Sequence, residues 1–223
     1  MNFDALTERR AARIMMVDDH PIVREGMALF LNAQQDLELC WQAGDANEAL
    51  AMMARADPAL IVVDISLNKD SGLDLIHKLR RLDPSVPILV LSMHDESVFA
   101  ERALQAGANG YLMKQEATRG ILQAVRTVLA GEIYLSPAMH SNLANRLQAA
   151  PRQSAHRLAG LTEREFEVLH LIGLGYGTRQ ISEKLCRSIK TIESHRASLR
   201  DKLSLDSAAD LMRFATRWVD GRA

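Results

Sequence analysis

Up to about residue 135 the chain repeats one alternation, a short apolar run followed by an amphipathic stretch, and that repeat leaves few folds open. The apolar runs are RIMMV (13–17), LELCWQA (37–43), ALIVVD (59–64), PILVLS (87–92) and GYLM (110–113). Short, nearly continuous apolar runs suit strands buried on both faces, and their alternation with helices suits a parallel sheet. The stretches between them carry helix punctuation. Asp45 stands three residues before Glu48 as a capping box, Gly107 and Gly131 close helical stretches, and Asp57-Pro58 and Asp83-Pro84 mark turns ahead of the next strand. The expectation is an α/β fold, a five-stranded, doubly wound parallel sheet of order 2-1-3-4-5 with five helices.

Beyond residue 135 the strand signal stops. Ser136 and Pro137 read as N-cap and N1 of a connecting helix, SPAMHSNLANRLQAA, and the proline-led polar stretch PRQSAHR (151–157) reads as a linker. The remainder is helical and short. Thr162 and Glu165 form a capping box before EFEVLHLIGLG, Thr178 is expected to cap RQISEKL, Ser188 a longer helix to about Leu203, and Asp206 a last one. Four such helices make a small all-α second domain. The boundaries expected are a tail at 1–12, the α/β domain at 13–135, a linker with a helix at 136–157 and the helical domain at 158–223.

At 223 residues the chain exceeds one average domain, and with 48% hydrophobic residues and 25% charged it is not a disordered polymer. No apolar stretch approaches the roughly 18 residues of a membrane span. The charged N-terminus lacks the apolar core of a secretory signal, and Cys40 and Cys186 match no metal or redox spacing. The chain is therefore read as cytoplasmic, with reduced thiols and no membrane partner. The net charge of −1 conceals an asymmetry: residues 1–157 hold 16 basic against 19 acidic residues, residues 158–223 hold 11 against 9. The basic end is where nucleic-acid binding is to be sought.

In a sheet of this kind ligands sit beyond the carboxyl ends of the strands. Asp18 and Asp19 end the first strand and Asp64 the third, neighbours in the expected order, so three carboxylates converge. Bare, they would repel; a hard divalent cation such as Mg²⁺ removes the conflict. Ser92 ends the fourth strand and Lys114 ends the fifth. A carboxylate, a cation, a hydroxyl and Mg²⁺ are what phosphoryl transfer to an aspartate requires. Each residue alone has a plainer reading, as a cap, a solvated lysine or a turn hydroxyl; their joint occurrence at four strand ends favours the functional one.

On these residues 13–135 resembles the receiver domain of two-component response regulators. The resemblance implies Asp64 as phospho-acceptor, Asp18, Asp19, Asp64 and the backbone carbonyl of Ser66 as metal ligands, Ser92 as switch hydroxyl, Lys114 as the lysine and Tyr111 as switch aromatic. Tyr111 is equally well read as a half-buried aromatic filling a gap. Gly72 lies eight residues after Asp64, as in the family's loop, but SLNKDSG (66–72) lacks the usual Met-Pro-Gly-type run.

The segment 161–203, with LTEREFEVL, GYG and KTIESHRASLRDKL, resembles the LuxR-type helix-turn-helix of NarL/FixJ-class regulators. At about 100° per residue, Ile192, Leu199 and Leu203 fall within about 40° of one another and define a buried stripe. Lys190, Glu193, Ser194 and Ala197 lie away from it. Glu193, Ser194 and Ala197 are expected to face bases; Lys190, Thr191, Arg196 and Arg200 are expected to contact phosphates, though a solvated flank explains the arginines as well. His195 is expected to pack rather than read DNA. In the last helix Leu211 and Ala215 are assigned to the core, with Phe214 and Trp218 left for a two-fold interface.

Together these resemblances imply a DNA-binding transcriptional regulator, not an enzyme, switched by phosphorylation of Asp64. Its implied partners are a sensor histidine kinase, double-stranded promoter DNA, a second copy of the chain and RNA polymerase. Two rival readings compete with this one. A phosphohydrolase of the haloacid dehalogenase kind would carry an aspartate where Ser66 stands. A receiver controlled by dimerisation or partner binding alone is kept open by the altered loop.

Overall fold

Five strands assemble where the apolar runs predict them: β1 (Ala12–Val17), β2 (Leu37–Ala43), β3 (Leu60–Val63), β4 (Ile88–Ser92) and β5 (Gly110–Met113). They form one parallel sheet of order β2-β1-β3-β4-β5. The structure is a computed structural model and describes residues 11–67, 71–94, 96–137, 139, 158, 160–185 and 187–220. The tail at 1–10, the body of the linker, loop residues 68–70 and Cys186 lie outside them. The chain divides into two compact units, Met1–Gln148 and Ala149–Ala223.

In the first unit the crossovers are α1 (Pro21–Asn32), α2 (Ala46–Met53), α3 (Gly72–Leu82), α4 (Glu96–Ala106) and α5 (Ala117–Leu129). β3 and β4 are buried at every residue, as strands covered on both faces must be. Gly107 and Gly131 take positive φ at the ends of α4 and α5, as expected of helix stops. The capping box at α2 is only half closed: Asp45 accepts from the Glu48 N–H at 2.9 Å, but Glu48 Oε2 turns to the N–H of Gly44 at 2.6 Å. One element went unforeseen. Tyr134 lies parallel to the outer edge of β5, accepting from Tyr111 N–H at 2.9 Å and donating to Asn109 at 3.1 Å. Ser136 does cap the turn after it, accepting from Met139 N–H at 3.2 Å.

The second unit holds α6 (Glu163–Gly173), α7 (Thr178–Lys184), α8 (Ile189–Leu203) and α9 (Ala208–Val219). The Thr162–Glu165 capping box is complete and Ser188 caps α8 as expected. Two caps fall one residue away from the expected ones. Gly177, not Thr178, is the N-cap of α7, so Thr178 is its first helical residue; Ser207, not Asp206, caps α9, its hydroxyl accepting from Asp210 N–H at 3.1 Å. At α9 the Ser207 hydroxyl reaches the third helical N–H, whereas Gly177 caps α7 through its extended backbone alone, its own N–H donating to Gln180 Oε1 at 2.9 Å. α6 packs on α8 and α9 through Leu169, Ile172, Leu199, Leu211 and Ala215, all buried. Among the described residues no helix is long and apolar enough to cross a membrane.

Candidate functional site

The end of β1 delivers Asp18 and Asp19, and the end of β3 delivers Asp64, into one pocket. Asp18 is 0% and Asp64 2% exposed, which for bare carboxylates is costly unless the charge is met. Lys114, just past β5, meets it: Nζ lies 2.6 Å from Asp18 Oδ2 and 2.8 Å from Asp64 Oδ2. The other Asp64 oxygen accepts the Ser66 N–H at 2.9 Å. Burial raises the Asp64 pKa, with Lys114 opposing and the Asp18 charge reinforcing the rise. Burial pulls the Lys114 ammonium down, but Asp64 and Asp18 outweigh it, leaving its pKa above the ordinary value.

The pocket is deficient in positive charge. Asp18 Oδ2 and Asp19 Oδ1 have ion contacts, to Lys114 and His20, but no well-aligned hydrogen bond among the described residues. Asp18, Asp19, His20 and Asp64 each offer one ligand atom, all within 4.8 Å of one another. Three carboxylates facing one ammonium leave two negative charges, and clustered hard oxygen donors suit a divalent cation. Sequence reasoning overlooked His20, whose Nδ1 lies 2.8 Å from Asp19 Oδ1 and whose N–H donates to Asp18 at 2.9 Å. Its signal was its place directly after the aspartate pair.

Gly72 closes the loop over this site. A Cβ there would lie 2.4 Å from the Asp64 carbonyl oxygen and 2.5 Å from Ile65 Cα, so glycine lets α3 begin against the backbone of Asp64 and Ile65.

Ser92 is fully buried at the end of β4, beside β3, and its Oγ accepts the His94 N–H at 3.1 Å. His94, also overlooked, reaches back to the pocket: its Nε2 lies 2.6 Å from Ser66 Oγ and its ring stacks on Phe99. Tyr111 is not the half-buried gap filler; it is fully buried, and its hydroxyl donates to the His94 carbonyl at 3.0 Å.

In α8 the angular reading holds. Ile192, Leu199 and Leu203 are buried, Lys190, Glu193 and Ser194 exposed, and Thr191, Arg196, Ala197 and Arg200 half-buried. Burial, then the charge of Arg200, lowers the Arg196 pKa. His195 is half-buried, and burial lowers its pKa. Glu165 anchors the helix: it accepts from Ser198 Oγ at 2.5 Å and Lys202 Nζ at 2.7 Å, beyond its capping role. Burial opposes its ionisation, but Lys202, Ser198 and Thr162 prevail and lower its pKa to about 2. In α9, Trp218 is spent within the unit, edge-on to Phe166 at 5.0 Å and to His170 at 5.9 Å, leaving Met212 as an exposed apolar residue.

Residues 14–126 match the response regulator receiver domain, and residues 159–215 the luxR family of bacterial regulatory proteins. The oxygen regulatory protein NreC of Staphylococcus carnosus is 35% identical over 210 residues, 92% of this chain and 97% of that protein. RcsB of Salmonella enterica serovar Typhimurium, bound to the promoter rprA with the phosphomimetic BeF3−, is 25% identical with a TM-score of 0.58, covering 93% of this chain and 99% of that one. A structure of two RcsB dimers bound to two parallel DNAs is 26% identical with a TM-score of 0.57, covering 93% and 98%. The chain belongs to the LuxR-family response regulators, DNA-binding regulators of transcription rather than enzymes, which join a receiver domain to a helix-turn-helix.

Proposed function

We propose that Asp64 is the phospho-acceptor and that its phosphorylation sets how α8 engages promoter DNA. The supporting observation is the partly buried ammonium of Lys114, held 2.6 and 2.8 Å from the buried Asp18 and Asp64. Asp64 attacks the phosphorus of a phosphohistidine on a sensor kinase; the new P–O bond replaces the P–N bond, and the released imidazole takes up a proton. Lys114 then pairs with the phosphoryl oxygens, and the Ser92 hydroxyl donates to one of them. Asp18, Asp19, Asp64 and the Ser66 carbonyl hold Mg²⁺, which when bound neutralises charge on the transferring group. Tyr111 follows Ser92 as the switch aromatic.

In the helical unit Glu193, Ser194 and Ala197 face base edges while Lys190, Thr191, Arg196 and Arg200 meet phosphates. The crowding of Arg196 by Arg200 supports this, since two neighbouring cations are relieved by a phosphate. The domain assignments are 13–135 for the receiver, 136–157 for the linker and 158–223 for the DNA-binding domain. The regulator acts in the cytoplasm as a homodimer on an inverted repeat, with RNA polymerase as a further partner.

Promoter-fragment anisotropy with and without acetyl phosphate and Mg²⁺ tests the reading. Phosphodonor is expected to tighten the wild type on the order of ten-fold and leave Asp64→Asn unchanged. Equal tightening of the two proteins would overturn it; no tightening of either would point to control by dimerisation alone.

A further inference from the structure

Glu96 is a buried carboxylate for which the phosphoryl chemistry has no use. It opens α4, is 7% exposed, and its Oε1 accepts the backbone N–H of Ser136 at 2.7 Å. Ser136 stands where the chain leaves the sheet. Just before it Tyr134 is laced to β5 through Asn109 and Tyr111, and Leu135 and Met139 on either side are buried. The exit segment is thus fastened at two points, the edge of β5 and the first turn of α4.

Both fastenings share residues with the switch. Ser92 Oγ holds the His94 N–H, the His94 ring stacks on Phe99 of α4 with centroids 4.5 Å apart, and the Tyr111 hydroxyl holds the His94 carbonyl. Tyr111 in turn grips Tyr134 with its own N–H. Displacing Ser92 therefore bears on His94, then on Phe99 and α4, which carries Glu96. A buried carboxylate that loses its N–H donor is left with an unmet charge, so the contact is either made or replaced as a whole.

We propose that Glu96 is the latch that fastens the exit segment to the receiver, and that movement of α4 on phosphorylation releases Ser136. The inference rests on Asp64 being the phospho-acceptor. It is tested by residue-resolved amide exchange on the full-length chain, with beryllofluoride and Mg²⁺ as phosphomimetic. Ser136 is expected to exchange on the order of ten-fold faster in Glu96→Ala and to stay near wild type in Glu96→Gln, which keeps an acceptor oxygen. Glu96→Asp, shorter by one methylene, should resemble the alanine variant while retaining the charge. Tyr134 should stay protected throughout, because its bonds to β5 do not involve Glu96. Beryllofluoride should bring wild-type Ser136 to the alanine rate.

Unchanged Ser136 exchange in both Glu96→Ala and Glu96→Asp would overturn the latch. So would Ser136 protection that persists in wild type after acetyl phosphate has added a phosphoryl group, as read by intact mass. Mass spectrometry that finds no phosphoryl group on Asp64 would instead sink the reading beneath it, so the two failures are separable.

Discussion

The receiver gathers Asp18, Asp19, Asp64 and Lys114 from the ends of three strands into one pocket, whereas the helical unit presents Lys190, Glu193 and Ser194 along one exposed face of a single helix. In the first, Asp18, Asp64 and Lys114 depend on one another: the two carboxylates are buried, and the partly buried ammonium between them makes their burial tolerable. In the second, Lys190, Glu193 and Ser194 stand in solvent and depend on nothing but the orientation of α8. A buried constellation concentrates stability and chemistry in the same few residues; an exposed face separates them. The orientation of α8 is held instead by Glu165, which lies on another helix and grips Ser198 and Lys202.

The sharpest test of that contrast is Lys114→Met. Removing one member of a buried charge set costs about 3–5 kcal/mol. The receiver transition in a urea melt is expected to fall by that amount with the helical transition unmoved, and added Mg²⁺ should recover part of it. A melt like that of the wild type would break the comparison. Next comes Gly72→Ala, whose methyl meets backbone rather than a movable side chain. It should cost about 1–3 kcal/mol in the same transition, by overpacking.

Glu165 gives the helical unit its own buried charge. Its pKa falls to about 2 in the fold from 4.5, so its contribution is complete above pH 4.5 and is lost as the pH drops toward 2. Allowing for solvent around the partly exposed Lys202, roughly 1–2 kcal/mol is at stake. Urea midpoints followed by Trp218 fluorescence in a Trp41→Phe background should decline over that range in the parent and stay flatter in Glu165→Ala. The smallest effect is expected at Lys190→Ala: about 0.5–1 kcal/mol weaker binding on every DNA sequence, a salt slope lower by about 1, and no change in either melt. Loss of stability there would show that the exposed face is not independent of the fold.

Much of this was legible in advance because it is written in local patterns. Apolar runs located all five strands, and helical spacing picked out Ile192, Leu199 and Leu203. Errors came where neighbours compete, as at Gly177 against Thr178 and Ser207 against Asp206, since the cap is whichever residue keeps an extended backbone as the chain enters the helix, and residue type alone does not fix that. What was overlooked has distant partners. Glu165 was visible as a capping residue but not as the clamp on Ser198 and Lys202, more than thirty positions away. His94 gave no periodic signal, yet it joins Ser66, Ser92, Phe99 and Tyr111. Tyr134 extends the sheet from a stretch too short to read as a strand.

The amino-acid order alone determined the alternation of strands and helices, the placing of acidic and basic residues at strand ends, and the buried stripe of α8, because side-chain periodicity and backbone preference act over a few residues. Only the tertiary structure decided that Lys114 sits between two aspartates, that Tyr111 is wholly enclosed, and that Glu96 fastens Ser136. Those contacts join residues tens of positions apart, and their energies arise from exclusion of water, which no local segment can achieve by itself.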